Sequence, residues 1–148
     1  MNSFKLFFEA SEEEKNVKDT LNKLPKSHAA LIKNYKFKWQ KGNCLDGDNN
    51  HVGVINPKAK TITIAASYNF GREHIILHEL AHKVWETFII NDSKLLKKWN
   101  KIVKTTKNRP KQNKEELFCH AYSIYYCNNK VEKFNYPEWM QFIKNLST

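Results

Sequence analysis

Only three cysteines occur among the 148 residues: Cys44, Cys119 and Cys127, an odd number with no CxxC pair. That excludes a disulfide framework and a cysteine-based zinc knuckle, and it points to a reducing, cytoplasmic setting. If Cys119 and Cys127 share a helix they cannot bridge, because their spacing spans roughly 12 Å of helix axis. Arginine is nearly absent, with Arg72 and Arg109 the only two among 25 basic residues. Phosphate and base recognition favours the guanidinium fork. The formal charge of +10 is therefore read as a lysine-rich solvated surface, and nucleic acid is not expected as the main partner. Long apolar runs are missing as well. No stretch nears the ~18 apolar residues of a membrane span, and the opening MNSFKLFFEASEEEK lacks the apolar core expected of a signal peptide. There is no internal repeat and no low-complexity tail.

What is present suits a globular chain. A hydrophobic content of 41% with 13% aromatics supplies enough apolar surface to offset ordering entropy, and the length fits a single domain over residues 1–148. Ser11 and Glu14 form a capping-box pattern ahead of Val17, Leu21 and Leu24 at helical spacing. Pro25 breaks that helix, and SHAALIKNY (27–35) suits a second short one. KFKWQ (36–40), HVGVI (51–55) and TITIAAS (61–67) carry strand patterns, and the turn-forming NPKAK (56–60) lies between the last two. From Arg72 to Ile90 the period becomes helical, with Leu77, Leu80, Ala81, Val84 and Phe88 as one apolar stripe. Asp92 or Ser93 caps a helix holding Leu95, Leu96, Trp99, Ile102 and Val103. Two further helical stretches are predicted near 113–128 and 137–146, the second with Pro137 in its first turn. Strands early and helices late predict an α+β domain: a short, mainly antiparallel sheet and an active-site helix followed by further helices.

The chemistry concentrates in HELAH at 78–82. On a helix, His78 and His82 stand one turn apart on one face, where two imidazoles can share a tetrahedral metal ion, with zinc the natural occupant. Glu79 stands beside that face, where a carboxylate can take a proton from water and pass it to a leaving amine. A catalytic site needs a third protein ligand and an open position for water. Phe88 occupies the place of a metzincin third histidine, and Lys101 the place of the glutamate used by many aminopeptidases. The later helix NKEELFCHAYSIYY (113–126) then offers Glu115, Glu116 and His120. His74, one turn before His78, is read as a helix-start histidine.

HELAH followed by ELFCHAY on a later helix resembles the gluzincin arrangement of the anthrax lethal factor catalytic domain and the bacterial Pro-Pro endopeptidases. The likeness covers roughly residues 50–125. It implies a small zincin-like metallopeptidase domain with Zn2+ held by His78, His82 and Glu116, with Glu79 as general base and His120 as a partner to the ligands. It also implies a hairpin whose edge strand aligns a peptide substrate. Phe118, Ala121 and Tyr122 match the family's packing positions, whereas Cys119 stands where it usually has alanine and His120 where it often has an acid. The family's oxyanion-stabilising tyrosine is replaced by Arg109, leaving Arg109, Tyr68 or Tyr122 to do that electrostatic work. Three alternatives stand beside this expectation: a repressor-cleaving regulatory metallopeptidase, a catalytically inactive protein on a zincin fold, and a basic nucleic-acid-associated protein.

Overall fold

The computed structural model describes residues 17–40, 53–65, 72–107, 109–127 and 130–146. The capping-box pair Ser11 and Glu14, the turn cluster 43–50 and Tyr68 lie outside them. Residues 17–22 are helical (α1), and Pro25 occupies the N-cap of α2, Lys26–Ala29, which tightens into a 3-10 turn over Ala30–Ile32. Val17, Leu24 and Ile32 from this region are buried in the core.

Three strands follow: β1 (Lys36–Gln40), β2 (Gly53–Asn56) and β3 (Thr61–Ala65). Asn56 closes the β2–β3 connection, its side-chain oxygen accepting from the backbone N–H groups of Lys58 and Ala59 at 3.1 Å each. Alternation in TITIA sends Ile62 and Ile64 wholly into the core and leaves Thr61 and Thr63 half-buried, as a period of two requires. The sheet order is β1-β3-β2. It is not mainly antiparallel as the sequence suggested: β2 pairs antiparallel with β3, but β1 runs parallel to β3. The turn-forming residues report only the local β2–β3 hairpin, whereas the direction of β1 depends on a crossover whose path no local pattern encodes.

One face of this mixed sheet is covered by α3, Arg72–Val84. Ile76, Leu77, Leu80, Ala81 and Val84 are completely buried. The helix continues as a π-helical turn over Trp85–Ile89, in which Ile90 N–H reaches the Trp85 carbonyl at 3.0 Å. The extra residue in that turn shifts the buried face. Trp85 and Ile89 are therefore buried, while Phe88, expected on the stripe, is only partly so.

Helix α4 spans Ser93–Thr105, with Asp92 as N-cap accepting from the N–H groups of Lys94 and Leu95. Helix α5, Lys114–Cys127, buries Leu117, Phe118, Cys119, Ala121, Tyr122, Ser123, Ile124 and Tyr126. A helix apolar around its circumference belongs inside a domain, and α5 does pack against α3, α4 and the closing helix α7, Pro137–Leu146. Between them a short α6, Lys130–Asn135, was not expected. It carries no buried residue, so it lacks the apolar periodicity by which the others are recognised. The fold is α+β, and among the described residues no helix is long and apolar enough to cross a membrane.

Candidate metal centre

Helices α3 and α5 lie side by side, and their shared face holds the groups singled out by chemistry. His78 and His82 stand one helical turn apart with ring centroids 5.3 Å from each other. Their Nε2 atoms converge on one carboxylate: Glu116 Oε2 lies 3.0 Å from His78 Nε2, and Oε1 lies 3.2 Å from His82 Nε2. Asn113 sets the start of α5 and so the height of Glu116, its side-chain oxygen accepting from the Glu116 N–H at 2.8 Å. The hydrogen bond from His78, with further attraction from both imidazoles, holds the Glu116 carboxyl below the usual carboxylate range.

The donor set fits a divalent transition metal. Two imidazole nitrogens and a carboxylate already meet at hydrogen-bonding distance, and a cation can take the place of the bridging protons. Among the described residues, the one group of three histidine, cysteine or carboxylate donors lying within 4.8 Å of one another is His78, His82 and Cys119, and Glu116 is not a member. Glu115 stands apart from this convergence. Its Oε1 lies 3.2 Å from Nδ1 of His82, where it orients the ring and fixes which nitrogen faces Glu116. The family resemblance gave that supporting role to His120 instead. His120 in fact turns toward His74, with ring centroids 5.7 Å apart, and toward Trp139 at 6.4 Å.

Glu79 is 9% exposed. Burial raises its carboxyl above the usual range, against the pull of His78, His82 and a hydrogen bond from the Ile55 backbone N–H. That bond exists because β2 comes unusually near α3. A Cβ on Gly53 would stand 2.5 Å from Ile75 Cγ2 and 3.3 Å from Glu79 Oε1, so only glycine permits this approach. The signal was a lone glycine in a strand pattern, a mark of close backbone contact. A cleft of about 890 Å³ runs between β2 and the two helices, with His78, Glu79, His82, Glu115 and Glu116 in its wall. His74 also lines it, and burial with the nearby His120 and His78 lowers its pKa to about 4.

Of the candidates for oxyanion stabilisation, Arg109 and Tyr122 are not brought into this cleft. Arg109 donates through Nη1 to the Val103 carbonyl at 2.7 Å, near the end of α4, and does not line the cleft. Tyr122 is wholly buried with its hydroxyl 2.9 Å from His28 Nδ1, and Tyr68 lies outside the described residues. Lys83 and Gln112 do line the cleft, though nothing in their sequence neighbourhood marks them out. Comparison of the chain with protein-family profiles, with curated proteins and with solved structures finds no match.

Proposed function

We propose that this chain is a zinc-dependent metallopeptidase acting on protein or peptide substrates. The observation that carries the proposal is the convergence of His78 Nε2 and His82 Nε2 on the Glu116 carboxylate, in a cleft whose wall also holds the buried Glu79. His78, His82 and Glu116 would hold the ion. When bound, zinc supplies a Lewis acid and lowers the pKa of its water from about 16 to about 7. Glu79 takes a proton from the water that attacks the scissile carbonyl carbon and passes it to the departing amine nitrogen. The Ile55 N–H and the apolar packing around Ile75 keep that carboxylate in place.

Substrate positioning falls to β2. It is an edge strand, paired only with β3 among the described residues, and Gly53, Val54 and Ile55 line the cleft. An extended peptide can add to such an edge through main-chain hydrogen bonds and lie across the histidines. Val54, about half exposed, offers an apolar contact to it. The free thiols Cys119 and Cys127 suit a reducing, cytoplasmic setting.

The test is metal content together with one variant. The purified chain should bind about one zinc per molecule, and Glu79→Gln should retain the metal but lose at least ~100-fold of peptide-cleaving activity. Absence of zinc affinity in titration, or near-normal turnover by Glu79→Gln, would overturn the reading.

A further inference from the structure

Each of the two facing helices carries a pair of donor side chains about one turn apart. From α3 come His78 and His82; from α5 come Glu116 and, three residues on, Cys119. The first three were expected to meet. The thiol was not assigned a role, yet its sulfur and one nitrogen of each histidine all lie within 4.8 Å of one another. Nitrogen and sulfur donors on the same tetrahedral zinc stand about 3.6 Å apart, from bond lengths of roughly 2.0 and 2.3 Å. The remaining gap, at most about 1.2 Å, lies within rotamer adjustment of the three side chains.

Cys119 is completely buried, so it is not a surface thiol exposed to chance oxidants. Burial, with the carboxylates of Glu116, Glu115 and Glu79 nearby, keeps the thiol protonated well above the usual thiol range in the metal-free chain. Metal binding then releases the thiol proton to solvent.

We infer that Cys119 is a further protein donor to the ion held by His78 and His82. The inference rests on the metallopeptidase reading of the same site. It gives the chain a preference for soft ions such as zinc and cadmium over manganese or magnesium.

Cobalt spectroscopy on the full chain decides it. The protein loaded with Co2+ in place of zinc should show a sulfur-to-cobalt charge-transfer band in the near ultraviolet. Cys119→Ala and Cys119→Ser should lose the band, and their zinc affinity, read by chelator competition, should fall beyond the ~10–100-fold of outer-shell changes. Cys127→Ala, two turns further along α5, should keep both. Cobalt bound without the band in the unmutated chain, or a band that survives Cys119→Ala, overturns the inference and leaves the His–His–Glu site standing. No metal bound at all overturns both readings.

Discussion

The face of α5 that meets α3 and the faces that meet α4 and α7 are built on opposite terms. Toward α3, Glu115 and Glu116 meet two histidines of that helix at 3.0–3.2 Å, polar groups held close together beside a cleft. Toward α4 and α7 stands an aromatic cluster. Trp99 packs on Phe142 at 5.0 Å, on Phe118 at 5.8 Å edge to face, and on Trp139 at 5.8 Å. Each indole there has its partner: Trp99 Nε1 donates to the Lys114 carbonyl at 2.8 Å, and Trp139 Nε1 to Thr106 Oγ1 at 2.9 Å. The first face gathers ionisable groups beside the cleft, and the second supplies the apolar burial that holds such a face together. They are joined at Lys114, because the Trp99 bond fixes the first residue of α5 immediately before Glu115 and Glu116.

The largest effect expected from breaking this arrangement is on the aromatic side. Trp99→Ala should cost about 3–5 kcal/mol of stability in urea denaturation, through lost burial and the cavity left behind. Trp99→Phe, which keeps a ring but abandons the Lys114 carbonyl, should cost less and still bind zinc. Equal losses from the two variants would mean that the hydrogen bond, and not the packing, dominates.

The cleft side should reveal itself through pH. His74 takes up a proton near pH 6.5 when unfolded but only near about 4 when folded, so the folded chain binds fewer protons between those values. Its contribution to stability is therefore complete above about pH 6.5 and is lost as the pH falls toward about 4, by on the order of 3 kcal/mol. Burial lowers His28 and His120 in the same direction. Stability of the metal-free protein should therefore fall over that window, and His74→Gln should flatten the fall. An unchanged slope in the variant would assign the acid limb to other groups.

A smaller effect is expected where strand meets helix. Gly53→Ala pushes a methyl group against Ile75, and overpacking of this kind costs about 1–3 kcal/mol. Denaturation of the variant measures the cost, and a neutral result would show that β2 shifts freely away from Glu79. The mildest change is Glu115→Ala. Removing the partner of His82 Nδ1 should weaken zinc about 10–100-fold with little change in urea midpoint. Complete loss of metal would make Glu115 a ligand in its own right.

The elements most legible in the sequence were those whose information is local. KFKWQ forms β1 over Lys36–Gln40, Asp92 caps α4, and α7 runs Pro137–Leu146, because alternation, a capping side chain and a first-turn proline each act within a few residues. The helical stripe around HELAH was equally plain. The π turn after Val84 was not, since it depends on how Trp85 and Ile89 fit the core. Short, exposed α6 offered no period to find. Arg109 was placed by counting along a resemblance, and its guanidinium instead satisfies a carbonyl at the end of α4.

The sequence alone determined that His78, Glu79 and His82 share one helix and that Glu115, Glu116, Cys119 and His120 share another, because helical spacing is a property of the backbone. It could not decide which members of the second group face the first. The packing of α5 decided that: Phe118 turns toward Trp99 and Phe142, which rotates Glu116 onto the two Nε2 atoms and Glu115 onto His82 Nδ1, and leaves His120 against His74 and Trp139. The direction of β1 and the approach of Gly53 to Glu79 were settled in the same way, by which surfaces fit together across long stretches of chain. Spacing fixes which side chains share a face, whereas the rotation of that face follows from the close packing of everything behind it.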